Sequence, residues 1–198
     1  IDDLRGFALK ERRRVDVYLD ESTSARVTSA FAYCFHTPPG SSYPPILNEH
    51  RLRPGKPERI EGAGGAMDVV PFRQRHGEID SLGFRIGPLA YSSDLNDLPR
   101  ESLEHLEDLE VWVVDALRRR THSSHFTLDQ ALAWIRRIAP GRAVLTNMHL
   151  DLDYDALRAE LPEGIEPAYD MMRLEIPDRV AGAAAGPAAA ANASPSGA

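Results

Sequence analysis

Three side chains that can bind a metal ion stand where predicted strands end. His76 follows the stretch MDVVPFRQR, Asp94 follows LAYSS, and His149 follows AVLTNM. Imidazole nitrogen and carboxylate oxygen together suit zinc, manganese or iron, because these ions accept both kinds of ligand. Taken singly, each residue fits an ordinary turn, and His149 also fits a core histidine or a surface residue. Their shared placement predicts one common site, because strand ends can converge at one edge of a sheet.

Short apolar stretches and helical patterns alternate along the chain and would carry these side chains. Strands are predicted at Val15–Leu19, Met67–Gly77, Ser81–Gly87, Leu89–Asp94, Leu109–Leu117, Arg142–Met148 and Pro167–Ile176. Helices are predicted at Asp2–Lys10, from a cap at Asp20 or Ser22 through Ala32, at Thr127–Ile138 and at Leu152–Leu161. The four prolines of His36–Asn48 predict an irregular loop. The nearly continuous apolar run at Leu109–Leu117 is typical of a strand buried on both faces.

This order of elements indicates an α/β fold. Strands joined by turns in the first half, followed by strand and helix alternation, favour a sandwich with sheets inside and helices outside over a doubly wound sheet. The folded domain is predicted to span residues 1–176. Residues 177–198 are rich in Ala, Gly, Pro and Ser, and they are predicted to form a disordered tail because they cannot bury enough apolar surface to offset the entropy of ordering.

The composition excludes several classes of protein. The chain has 198 residues, of which 42% are hydrophobic and 27% charged, as in an ordinary globular domain. Its net charge of −7 opposes a protein that binds nucleic acid over its whole surface. No apolar run is long enough for a membrane helix. The single cysteine, Cys34, excludes an intramolecular disulfide, so the cytoplasm is the expected compartment. A homodimer is compatible with this composition.

Two longer stretches resemble a known family. VVPFRQRHGEIDSLGFRIGPLAYSSDLNDLP resembles the second half of metallo-β-lactamase-fold hydrolases, in which a histidine and an aspartate after successive strands bind a two-metal centre. VVDALRRRTHSSHFTLDQALAWIRRIAPGRAVLTNMHLDLDY is similar to the branch of phosphoribosyl cyclic phosphate phosphodiesterases of phosphonate breakdown, in the carbon–phosphorus lyase pathway. The resemblance covers residues 1–176 and implies a metallo-β-lactamase αββα sandwich with two divalent metal ions, Mn or Zn.

The resemblance also implies a role for each candidate residue. His76 would bind one ion, Asp94 would bridge both ions, and His149 would bind the other. His125 matches the histidine that serves these phosphodiesterases as general acid, and His122 is its rival. The alternative for this pair of histidines is a polar loop that exposes both side chains.

Three aspartates near these residues are candidates for supporting roles. Asp115, at the end of VWVVD, could orient a ligand histidine by a hydrogen bond or simply form a turn. Asp151 could accept the Nδ1 proton of a ligand histidine. Asp153 is better placed as the cap of the helix that follows.

The sequence departs from the family at one motif. The signature His-x-His-x-Asp-His, which supplies most metal ligands in this fold, is absent, and in the family a stretch similar to IDDLR follows it closely. The chain therefore resembles a family member that begins just after this motif, so the sandwich is expected to be N-terminally incomplete.

Three functions follow as hypotheses. The first is a metal-dependent phosphodiesterase that acts on a small cyclic or sugar phosphodiester by a two-metal mechanism. The second is a transfer-RNA-processing ribonuclease of the same fold, which the acidic net charge disfavours. The third is a truncated, catalytically inactive family member. For the first, the partner is a small-molecule phosphodiester, and neither a membrane nor nucleic acid is expected.

Overall fold

The computed structural model describes residues 1–176, so the predicted tail at residues 177–198 lies outside the described residues. The helices are α1 Leu4–Glu11, α2 Glu21–Ala30, α3 Ala32–Phe35, α4 Leu128–Ile138 and α5 Tyr154–Glu160, with a 3₁₀ helix at Arg100–Leu106. The strands are β1 Val15–Leu19, β2 Leu47–Arg51, β3 Glu58–Gly62, β4 Gly65–His76, β5 Ile79–Ile86, β6 Leu89–Ser92, β7 Val111–Asp115, β8 Arg142–Thr146 and β9 Ile165–Pro167.

Strands β3 to β9 form one mixed sheet in sequence order. The pairs from β3 to β6 are antiparallel, as expected for strands joined by tight turns, and the pairs from β6 to β9 are parallel. Strands β1 and β2 form a separate parallel pair. The mixed sheet with helices confirms the predicted α/β class.

The core lies around strand β7 and helix α4. Trp112 and Val114 of β7 are fully buried, as is Leu145 of β8, which confirms β7 as the interior strand. The indole Nε1 of Trp112 donates to Ser92 Oγ at 3.0 Å, so its polar atom is satisfied inside the core. Burying one such large apolar side chain contributes roughly 1.5–3 kcal/mol to the free energy of unfolding.

Helix α4 begins at a full capping box. The Thr127 hydroxyl accepts from Gln130 N at 3.2 Å, and the Gln130 side chain accepts from Thr127 N at 2.9 Å. Its apolar face buries Leu128, Ala131 and Ile135 against the sheet. The cap therefore fixes where the preceding loop ends.

The predicted final strand at Pro167–Ile176 is wrong. The strand is β9, Ile165–Pro167, which pairs with β8 and ends at the proline. The next residues turn instead of extending, and Met171 adopts φ of 69°, which a strand does not allow. Strand β3 was not predicted because its residues ERIEG are mostly polar; it forms through pairing with β4, with Ile60 opposite Met67.

Among residues 1–176, no helix is both long enough and apolar enough to cross a membrane.

Candidate metal centre

The candidate site lies at one edge of the sheet, where four strands end. Strands β6, β7 and β8 are parallel, and β4 points the same way because two antiparallel pairings separate it from β6. Their carboxyl ends therefore meet at the same edge. Side chains that follow strand ends can gather there without disturbing the core.

Three side chains at this edge have the spacing of a metal site. His76, Asp94 and His125 each offer one ligand atom, and these atoms lie within 4.8 Å of one another. The rings of His76 and His125 meet edge to face with their centroids 4.7 Å apart. The structure thus brings together two of the three predicted ligands, joined by the histidine that was predicted as the general acid.

The hydrogen bonds of both histidines set the tautomer that a metal ion requires. His76 Nδ1 lies 2.8 Å from the carbonyl oxygen of Ser124, and His125 Nδ1 lies 2.7 Å from Asp115 Oδ2. A carbonyl and a carboxylate only accept, so each Nδ1 carries the proton and each Nε2 keeps its lone pair. Ligand histidines in metalloproteins are held in this way, and the donor set of two imidazoles and a carboxylate fits a divalent ion.

Asp115 is fully buried beneath this cluster. Burial raises the pKa of its carboxyl group, and the hydrogen bond from His125 opposes that rise. Its Oδ2 also lies 3.4 Å from Leu95 N, whereas its Oδ1 has no hydrogen-bond partner. A buried carboxylate that bonds a single histidine holds that ring in one orientation. The histidine that Asp115 bonds is His125, and its predicted role in orienting a ligand histidine stays a prediction.

The loop that carries His125 is fastened to the end of β4. Gly77 N donates to the Asn96 side chain at 3.1 Å, and Asn96 donates in turn to the carbonyl of Ser123 at 2.9 Å. Gly77 has φ of +65°, and a Cβ there would lie 3.1 Å from the Cβ of Ser124. Glycine is therefore required both for the backbone turn and for the close approach of the loop.

Two non-glycine residues at the edge adopt left-handed backbone. Asp94 has φ of 56° and Asn147 has φ of 59°. The Asn147 amide lies 3.5 Å from Asp94 Oδ1 and 3.4 Å from His125 Nδ1. Such backbone costs of order 1 kcal/mol per residue and is concentrated at functional sites. Asn147 was missed in the sequence, although asparagine directly after a strand is the residue that tolerates this conformation.

His149 lies outside the three-residue cluster. Its Nδ1 is 3.5 Å from Asp151 Oδ1 and 3.3 Å from Asp151 N, and Arg120 lies 3.8 Å from the same carboxylate. Asp151 therefore lies beside His149, and its role as acceptor of the Nδ1 proton of a ligand histidine stays a prediction. The structure confirms Asp153 as the cap of α5, since its side chain accepts from Ala156 N at 2.9 Å.

His122 has the opposite tautomer from its neighbour. Its Nδ1 accepts from Ser124 N at 3.2 Å, so a neutral ring carries its proton on Nε2. Burial lowers the pKa of His122, and the charges of Arg118 and His125 lower it further. His122 is therefore favoured as a neutral ring.

Residues 1–148 match the family model described as the beta-lactamase superfamily domain. A curated relative, an octanoyltransferase from Porphyromonas gingivalis, is 29% identical over 90% of this chain and 35% of its own length. The crystal structure of a new diphosphatase from the PhnP family is 27% identical, with a TM-score of 0.71 over 83% of this chain and 59% of that chain. Zn²⁺-bound PqqB from Methylobacterium extorquens is 13% identical, with a TM-score of 0.62 over 85% and 67%. The chain thus spans about a third of the curated relative and three fifths of the diphosphatase.

Proposed function

The chain belongs to the beta-lactamase superfamily, a family of metal-dependent hydrolases, and on that premise we propose that it hydrolyses a small phosphodiester with divalent metal ions. The observation that carries the proposal is the group of His76, Asp94 and His125 at the sheet edge, with ligand atoms within 4.8 Å of one another. The reaction is assigned to the cytoplasm, because one cysteine is too few for an intramolecular disulfide.

We assign the metal ligands to His76, Asp94 and His149. His76 has the tautomer that leaves Nε2 free, and Asp94 presents a carboxylate that is 57% exposed beside it. His149 is half exposed at the end of the neighbouring strand β8. Two Mn or Zn ions bound here would supply Lewis acidity toward a phosphoryl oxygen and would activate water as the nucleophile.

His125 is assigned the proton transfer. Its Nδ1 proton is held by the buried carboxylate of Asp115 at 2.7 Å, which orients the ring so that Nε2 points away from that carboxylate. When the ring is protonated on Nε2 as well as on Nδ1, the Nε2 proton can pass to the leaving oxygen of the diester. Asp115 acts only through His125, so it is a positioning residue.

The choice of a phosphodiester rests on two supports. The diphosphatase of the PhnP family, at 27% identity, acts on a phosphorus compound by its description. The net charge of −7 favours a small substrate over a polynucleotide, because a polynucleotide needs a broad basic surface. Octanoyl transfer is not carried over, because this chain spans only 35% of that relative.

The test is hydrolysis of bis-p-nitrophenyl phosphate by the protein with added Mn²⁺ or Zn²⁺. We expect metal-dependent turnover in the wild type that His76→Ala and Asp94→Ala abolish. His36→Ala is the matched control, since His36 is exposed in the loop before β2, and it should keep wild-type turnover. Thermal melts check that each variant is folded.

The same assay separates the alternatives. Cleavage of a transfer-RNA precursor with no hydrolysis of small diesters would assign the chain to the ribonuclease function. A protein that binds metal and hydrolyses neither substrate would be the catalytically inactive member.

A further inference from the structure

A second cleft lies away from the metal cluster. Its volume of about 820 Å³ lies between the start of α2, the turn after β2 and the β4–β5 hairpin, and the cleft is open to solvent on one side. Cavities of this size are typical of small-molecule sites. The proposed hydrolysis uses none of its residues.

Four arginines from four segments line this cleft: Arg26 of α2, Arg51 of β2, Arg53 of the following turn and Arg73 of β4. Two of them are already in ion pairs within the protein, since Arg51 contacts Glu49 at 2.7 Å and Arg73 contacts Asp80. For Arg26 and Arg53, the structure of residues 1–176 shows no ion pair and no side-chain hydrogen bond. Arg26 and Arg53 therefore line the cleft with no protein partner for their guanidinium donors among residues 1–176.

The acidic side chains of the cleft do not cancel this charge. Asp20 is engaged as the cap of α2, where its carboxylate accepts from Thr23 N at 2.8 Å. Asp80 is held by Arg73 and by Arg75, the latter at 2.6 Å. Counted by full charges, the four lining arginines exceed Asp20, Glu21 and Asp80 by one. In a chain of net charge −7, this cleft carries a small net positive charge, which favours anions over cations.

The cleft and the metal cluster use opposite faces of β4. Side chains alternate along a strand, so Arg73 leaves the face opposite to that of Gln74 and His76. Gln74 is fully buried on the inner face, whereas Arg73 is exposed. A ligand bound by Arg73 therefore does not reach His76 across the sheet, and the two sites are separate.

We propose that this cleft binds a small phosphate-bearing ligand through Arg26 and Arg53. Guanidinium groups bind phosphate oxygens through paired hydrogen bonds with a charge on both partners. A nucleic acid is not the ligand, because two unpaired cations neutralise too few phosphates to hold a polyanion at physiological salt. The ligand chemistry is therefore that of free phosphate or of a small phosphate ester.

The test is calorimetric titration of inorganic phosphate and of adenosine monophosphate into the protein, with adenosine as the uncharged control. Metal ions are first removed by chelation and dialysis, so that phosphate has no ion to bind at the sheet edge. A buffer with 150 mM salt suppresses weak surface binding. Because no turnover is measured, the result is independent of the proposed hydrolysis.

The decisive variant is the double substitution Arg26→Gln and Arg53→Gln. Arg136→Gln with Arg158→Gln is its matched control, because both residues are exposed on other helices and the change in net charge is the same. We expect the first pair to weaken phosphate binding about tenfold or more, while the control pair and the wild type agree within about twofold. Tighter binding of adenosine monophosphate than of phosphate would assign an ester as the ligand. No binding by the wild type, or equal binding by both double variants, would overturn the proposal.

Discussion

At the scale of single residues, the site depends on where two protons sit. Ser124 O and the Asp115 carboxylate hold the Nδ1 protons of His76 and His125, so the ring nitrogens that face the edge are set before any ion binds. Side chains that are already held in place lose less conformational entropy when a metal ion binds, so a rigid site at strand ends favours binding.

Asp115→Asn is expected to lower turnover by about 100-fold or more while metal content stays at the wild-type level. An amide can present its NH₂ group to His125 and so stabilise the wrong tautomer. The pH profile of kcat separates this role from a purely structural one, because only a positioning role shifts that profile. Asp155→Asn, on the exposed surface of α5, is the control. Unchanged kcat in Asp115→Asn would contradict the assignment.

The roles of His125 and His149 are separated by metal content. We expect His149→Ala to lose bound metal, because it removes a ligand. His125→Ala should keep its metal and lose turnover, because it removes the proton donor. Inductively coupled plasma mass spectrometry of the purified variants gives both values. The reverse pattern, with metal lost only in His125→Ala, would exchange the two roles.

The sequence predicted most residues of this cluster, because strand ends and side-chain types are both visible in it. The grouping was not fully predictable: His125 joins His76 and Asp94, while His149 stands beside Asp151. That outcome depends on loop geometry, which one-dimensional spacing does not contain. Asn147 was missed for the same reason, since its left-handed backbone becomes visible only in three dimensions.

At the scale of elements, the contact between the end of β4 and the loop 121–126 can be tested with two glycines. Gly77 and Gly87 both have positive φ, of +65° and +55°, but only a Cβ at Gly77 meets the loop. Each substitution by alanine should cost about 1–2 kcal/mol in backbone strain. Gly77→Ala should in addition lower turnover about tenfold or more by displacing the loop of His125, whereas Gly87→Ala should not. Equal turnover in the two variants would exclude a role for this contact.

The cap of α2 gives a pH-dependent prediction. Burial raises the pKa of Asp20, but hydrogen bonds from Thr23 and Ser22 and the charge of Arg73 together hold the pKa below the ordinary value of 3.8. The stability that Asp20 contributes is therefore present above pH 3.8 and is lost as the pH falls through the lowered pKa. Asp20→Ala should cost about 1 kcal/mol at pH 7. In urea unfolding the difference from wild type should shrink below pH 3.8, and a constant difference would contradict the cap as its source.

Regular elements followed from the sequence wherever periodicity was strong. Strand β1 and helix α4 lie close to their predicted bounds, since alternation and a capping threonine mark them clearly. Strand β3 and the true end of the sheet at β9 could not be predicted, because pairing with neighbours, and not composition, makes them strands.

At the scale of the whole molecule, the fold places the site and metal binding should stabilise the fold. An ion that binds only the folded chain, at 100 times its dissociation constant, adds about 2.7 kcal/mol to the free energy of unfolding. Thermal melts with and without Zn²⁺ should show this increase in the wild type and not in Asp94→Ala. An equal increase in both would place the ion elsewhere.

The central claim is that this edge of the sheet is a metal centre, and metal content per chain tests it most directly. The protein is loaded with Zn²⁺ or Mn²⁺, dialysed, and measured by inductively coupled plasma mass spectrometry beside Asp94→Ala and the control His36→Ala. We predict that the wild type and His36→Ala retain bound metal, and to the same extent. Asp94→Ala should retain few or none, because its carboxylate is assigned to both ions. A wild type without metal, or an Asp94→Ala protein with wild-type content, would contradict the claim.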